Sequence, residues 1–108
     1  MEQNHQFIVI LATASSEKEA DRIAKALVQE GLAPCVNVVP EIVSTYYWKE
    51  AVQTGKESLM VIKTRADQFD RVKARIEALH SYDVPEIICL AIVEGSEKYL
   101  AWMEGFFK

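Results

Sequence analysis

Hydrophobic and polar positions alternate along this chain in two rhythms. Phe7-Ile8-Val9-Ile10-Leu11-Ala12-Thr13 is continuously apolar and β-branched, which predicts a central strand buried on both faces. Ser16 followed by Glu19 is a capping-box pattern, and Ala20, Ile23, Ala24 and Leu27 then form one apolar stripe at helical spacing. Gly31 stands where a left-handed stop belongs, so the first helix should run from Glu17 to about Glu30. Leu32 to Trp48 reads as one long strand. Pro34 and Pro40 donate no ladder hydrogen bond, which puts that strand at an edge, bent or bulged at Pro40. Alternation sends Val43, Thr45 and Tyr47 to one side and Ser44, Tyr46 and Trp48 to the other.

After a turn, Ser58 to Thr64 reads as a third strand. Phe69, Val72, Ile76 and Leu79 mark a second amphipathic helix, with Asp67 as its expected cap. Ile87 to Val93 is a fourth strand, and Ser96 caps a short third helix carrying Tyr99, Leu100, Trp102, Met103, Phe106 and Phe107. The order is β-α-β-β-α-β-α, with no repeat or linker. Two right-handed crossovers joined by a hairpin give a ferredoxin-like α/β (α+β) sandwich. Its sheet should be antiparallel and four-stranded, with helices on one face, strands one and three central, and a C-terminal helix added. With 108 residues, this is a single domain spanning 1–108.

Composition narrows the function. Net charge is −4 without any basic cluster, which argues against nucleic-acid or anionic-membrane partners. Cys35 and Cys89 lie in apolar strand-like runs without zinc-type spacing, and read as reduced thiols of a cytoplasmic protein. Phe7 to Ala14 ends in Ala-Thr-Ala, yet residues 1 to 6 carry Glu2 and no Lys or Arg, so the segment reads as a strand rather than a secretory leader. No segment approaches a membrane span.

Candidate chemistry concentrates at His80-Ser81-Tyr82-Asp83-Val84-Pro85-Glu86-Ile87, where an imidazole, a phenol and two carboxylates precede the last strand. His80 reads either as a cation at a helix C-terminus or as a ligand for a soft or borderline metal. Cys35 is a small core hydrophobe or a second thiolate candidate. Lys63 sits in a strand expected to be central, where its ammonium calls for a carboxylate such as Glu86 or Glu57. That pair either locks the fold or, with Tyr82, shapes an anion-accepting cleft. Tyr46, Tyr47 and Trp48 read as a subunit contact on a projecting hairpin or as a stacking platform. All four glycines are isolated, and no Ser-His-Asp, HExxH or EF-hand pattern appears, so no enzyme is indicated.

Three further segments make the reading specific: Ala33-Pro34-Cys35-Val36-Asn37-Val38, Ser44-Thr45-Tyr46-Tyr47-Trp48-Lys49 and Leu59-Met60-Val61-Ile62-Lys63-Thr64. In this order and spacing, from about Phe7 to Trp102, the chain resembles the CutA family of divalent-cation tolerance proteins. The resemblance implies the ferredoxin-like fold, a long hairpin projecting into a homotrimer, and a role in the response to metal ions. It implies no obligatory cofactor, with copper or another divalent cation as the ion to be bound weakly. His80, Asp83 and Glu86 are then the metal candidates, Cys35 the fallback, and coordination should weaken in acid because imidazole binds metal only when neutral. The alternative is a trimeric sensor or scaffold similar to PII signalling proteins, with Lys63, Tyr82 and Glu86 receiving a small anion between subunits.

Some positions depart from the family pattern. Glu50 stands where many relatives have Gly, which suggests a turn shifted to Thr54-Gly55-Lys56. The usual His-Pro-Tyr-Glu is His80-Ser81-Tyr82-Asp83 here. Ala12 and Leu79 replace the Cys and His of some members, removing two further metal donors.

Overall fold

The computed structural model describes residues 6–108. The acidic tail that argued against a leader lies, apart from Gln6, outside the described residues. Four strands and three helices alternate as β1 (Phe7–Ala14), α1 (Glu17–Gln29), β2 (Cys35–Trp48), β3 (Ala51–Arg65), α2 (Phe69–Leu79), β4 (Ile87–Ala91) and α3 (Glu97–Phe106). The sheet order is β2-β3-β1-β4, and every pairing is antiparallel. Strands one and three are therefore central, as the doubly apolar β1 and the proline-marked β2 require. No helix among the described residues is long and apolar enough to cross a membrane.

Alternate residues of β1 and β3 meet α1 and α2. Ile8, Ile10, Ala12, Met60 and Ile62 pack against Ala20, Ile23, Leu27, Val72 and Ile76, and most of these side chains are fully buried. Truncating one such isoleucine to Ala would cost about 2–5 kcal/mol, through lost transfer energy and the cavity left behind. The opposite, outer face carries Val9, Leu11, Val61 and Lys63, and α3 is tied to the end of the sheet. Arg65 of β3 holds Glu104 at 3.1 Å and Asp67 at 2.9 Å, and its guanidinium lies 4.5 Å over the Phe107 ring.

Helix ends follow the sequence in outline and depart from it in detail. Ser16 caps α1 by accepting from the Glu19 amide at 3.1 Å, and Gly31 takes the left-handed stop at φ 76. Ser96 caps α3 in the same way. Asp67, expected to cap α2, instead sits in a 3-10 turn, Ala66–Gln68, that makes no side-chain cap. Arg65 takes both carboxylate oxygens of Asp67 in a fork, a stronger claim than one helical amide. The second helix ends against α1, where Arg22 donates to the Leu79 carbonyl at 2.9 Å.

The hairpin corrects two expectations. β3 begins at Ala51, not Ser58, and the turn is Lys49-Glu50, not Thr54-Gly55-Lys56. Trp48 pairs with Ala51 across a two-residue turn whose central residues have φ 52 and 63, the left-handed pair that matches strand twist. Gly55 lies mid-strand opposite Ser44. Pro40 does mark a bulge: the register shifts between Val39 and Ile42, and the Ser58 hydroxyl donates to the Pro40 carbonyl at 2.6 Å. β2 starts at Cys35 rather than Leu32, and β4 ends at Ala91 rather than Val93.

Candidate functional site

The residues 80–86, linking α2 to β4, are held by a set of polar contacts. Burial pushes the Glu19 carboxyl up, but hydrogen bonds from the Ser15 amide and from the Ser81 and Ser15 side chains draw it down from 4.5 to about 2. One oxygen takes Ser15 N at 2.8 Å and Ser15 Oγ at 2.9 Å, and the other takes Ser81 N at 3.0 Å. The predicted capping box is thus displaced by one residue. Its carboxylate serves the residue before the cap and the distant loop together.

His80 is occupied at both ring nitrogens. Nδ1 accepts from the Tyr82 amide at 3.0 Å, and Nε2 lies 2.6 Å from the Thr13 carbonyl, which can only accept. These partners fix the neutral tautomer with the hydrogen on Nε2. The ring also stacks at a tilt on Tyr82, 4.7 Å between centroids. The sequence-level readings of His80 did not include this bond to the end of β1, which only the β-α packing creates.

Tyr82 reaches across to β3, where its hydroxyl donates to Glu57 Oε2 at 2.8 Å. Burial, followed by the neighbouring Glu57 carboxylate, pushes this phenol up to about 12. Between the loop and the hairpin lies a cavity of about 530 Å³. Its walls hold the rings of Tyr46, Trp48 and Tyr82 and the carboxylates of Glu57, Asp83 and Glu86. Thr13 and Ser44 add hydroxyls, and among the described residues no Lys or Arg lines it.

The structure thus brings Tyr82, Asp83 and Glu86 to one cavity and leaves other candidates out of it. Lys63 pairs neither with Glu86 nor with Glu57. Its ammonium donates to Asn37 Oδ1 on β2, a neutral partner, and Glu57 is taken by Tyr82 instead. Lys63 lies opposite Val9 and Cys35, several residues along the sheet from Thr13 and Glu57. Cys35 is half-buried there, and both Cys35 and Cys89 are free thiols. Tyr47 is 71 % exposed on the other face of the hairpin. Among the described residues, no three of His, Cys, Asp and Glu converge closely enough to hold a metal ion. Sequence reasoning offered Tyr46 and Trp48 as a stacking platform only as the alternative to a subunit contact, and it named Glu57 as a partner of Lys63 rather than as a cavity wall beside Tyr82. The period-two alternation already placed Tyr46 and Trp48 together, whereas Glu57 joins them only through the β2–β3 register.

Comparison with known proteins identifies the fold and the family. Residues 8–105 match the family model for the CutA1 divalent ion tolerance protein. The chain is 48 % identical over 95 residues to the divalent-cation tolerance protein CutA of Thermus thermophilus, covering 88 % of this chain and 92 % of that one. It is 43 % identical over 98 residues to the chloroplastic protein CutA of Arabidopsis thaliana, covering 91 % of this chain and 54 % of the plant protein. The chain thus spans about half the length of that relative. Among solved structures, CutA1 from Oryza sativa superposes with a TM-score of 0.92 at 40 % identity, covering 96 % of this chain and 95 % of that one. The periplasmic divalent cation tolerance protein CutA from Archaeoglobus fulgidus gives a TM-score of 0.92 at 35 % identity, over 94 % and 99 %. The Thermus thermophilus and Archaeoglobus fulgidus proteins are named for divalent-cation tolerance, and none of the four for a reaction. The chain belongs to the CutA1 divalent ion tolerance family.

Proposed function

We propose that this chain acts as a non-catalytic homotrimer in the cytoplasmic response to divalent metal ions, holding copper or a similar ion weakly at the loop of residues 80–86. The observation that carries the reading is the family match over nearly the whole chain. Asp83 and Glu86 offer oxygen donors at the cavity rim. His80 becomes a ligand only by releasing Thr13 or Tyr82, which argues for weak affinity. A neighbouring chain has to complete any coordination sphere, because one chain supplies no three-donor group among the described residues. Cys35 stays the second candidate, from its own end of the sheet.

The trimer is supported by what one chain leaves uncovered. The hairpin exposes Val43, Tyr47 and Val52 on the face turned away from the cavity, and Ile88 and Leu90 are half-exposed on β4. Apolar edges of this kind invite pairing, and closed symmetry removes them. The cytoplasmic assignment rests on the free thiols. The names of relatives point to chloroplast and periplasm for those proteins, so fractionation of the native protein decides it. The alternative of an anionic ligand loses its support within one chain, since Lys63 lies away from a cavity walled by carboxylates.

Light scattering should give three chain masses. Calorimetric titration with Cu²⁺ should show weak, saturable binding that His80→Ala or Asp83→Asn reduces. A monodisperse monomer, or copper binding unchanged in both variants, would overturn the respective part.

A further inference from the structure

We propose that the cavity between the hairpin and the α2–β4 loop binds a small organic cation, a quaternary or protonated amine. This goes beyond the divalent-ion reading and does not depend on it.

Charge selects the sign of the ligand. Glu57, Asp83 and Glu86 line the space without a Lys or Arg among its walls, so an anion is repelled and a cation drawn in. Spacing selects its kind. A bare divalent ion needs several donors at about 2–2.6 Å, and no three acidic, His or Cys side chains converge among the described residues. Carboxylates spread around a wide space instead match a cation whose charge is distributed over methyl or methylene groups. The volume of about 530 Å³ agrees, because it suits a small molecule and far exceeds a single ion.

The remaining walls suit the same ligand. Tyr46, Trp48 and Tyr82 present three rings to the space, and an aromatic face attracts a cation within about 6 Å of its centre, Trp most strongly. Weakly hydrated ammonium groups leave water for such faces more readily than metal ions do. Tyr82 is set in place beforehand: its hydroxyl is committed to Glu57, its amide to His80, and its phenol stays neutral far above neutral pH. Thr13 and Ser44 then offer oxygens to an ammonium N–H or to a hydroxyl on the ligand.

Choline, a quaternary ammonium alcohol, and its uncharged isostere 3,3-dimethylbutan-1-ol separate charge from shape. Each is titrated into a Trp102→Phe variant, so that fluorescence reports Trp48, at low ionic strength with EDTA throughout. Proton NMR saturation transfer on the unmodified protein gives the same comparison without any substitution. Saturable quenching by choline is expected, with the isostere at least roughly tenfold weaker. The Asp83→Asn/Glu86→Gln double variant, its fold checked by circular dichroism, should also weaken choline by at least roughly tenfold. Equal binding of the isostere, full affinity in the double variant, or no saturable signal by either method would overturn the proposal. Because EDTA removes metal, success or failure here is independent of the copper titration.

Discussion

Replacing Glu19 by Gln should destabilise the protein at neutral pH and leave it nearly unaffected in strong acid. Glu19 is 8 % exposed and accepts three hydrogen bonds, from Ser15 N, Ser15 Oγ and Ser81 N. Its carboxyl is lowered from 4.5 to about 2. Each tenfold change in proton affinity is worth about 1.4 kcal/mol, so the charged form contributes about 3 kcal/mol relative to the protonated one. The sign follows from the direction of the shift. A carboxyl depressed in the folded state adds stability that is complete above pH 4.5 and disappears as pH falls towards 2. Gln is uncharged like the protonated group, and its Nε2, which can only donate, faces an N–H donor where a carboxylate oxygen accepted. Urea unfolding followed by circular dichroism, at one fixed chain concentration, measures both proteins without adding salt. The expected loss is about 2–3 kcal/mol at pH 7 and less than about 1 kcal/mol at pH 2. A loss below about 0.5 kcal/mol at pH 7, or an equal loss at both pH values, would refute the assignment of Glu19 as the charged tie between α1 and the loop.

Glu50→Gly should stabilise the hairpin by about 0.5–1 kcal/mol, because φ 63 strains any residue with a Cβ; unchanged or lower stability in thermal unfolding would contradict this. Lys63→Met should cost less than about 1 kcal/mol in urea unfolding, since its partner is the neutral Asn37 and no buried carboxylate is stranded; a loss above about 3 kcal/mol would restore the ion-pair reading. Tyr82 should ionise only at about 12 in ultraviolet titration, and Tyr82→Phe should remove that step from the profile. Its raised value means that the contribution is intact below pH 10 and is lost as pH climbs to about 12.

Much of the fold could be read in the chain because it depends on local patterns. The doubly apolar Phe7 to Thr13 could only be central, and Pro40 could only lie at an edge or bulge. The hairpin turn was hidden because Lys49 and Glu50 adopt left-handed angles without Gly or Asn, while Gly55 nearby offered a false signal. Asp67 was misplaced because its competitor, Arg65, outbid the helix with a two-point contact. The site was legible only in part, for a different reason. The identities at Tyr82, Asp83 and Glu86 marked a polar mouth, but which side chains face it depends on strand register and on contacts across 25 residues or more. Asn37 became the partner of Lys63 through β2–β3 pairing, which no local pattern discloses.

The bulge at Pro40 sets the phase of the whole outer hairpin. Before it, Val39 lies opposite Leu59; after it, Ile42 lies opposite Glu57, so β2 has gained one residue on β3. Because side chains alternate at every step, that single residue decides which half of the aromatic run turns towards Glu57. With it, Ser44, Tyr46 and Trp48 share the face of Glu57, and Tyr47 looks the other way. Were the same residues to pair without the bulge, keeping the inner register, Glu41 would lie opposite Glu57 and the two sets would swap, presenting Val43, Thr45 and Tyr47 to the loop. The composition of the cavity is thus written less in the aromatic residues themselves than in a count of residues between the sheet and the arm. Whether the strand bulges here or runs on regularly thus decides the cavity wall without a change in any side chain that lines it.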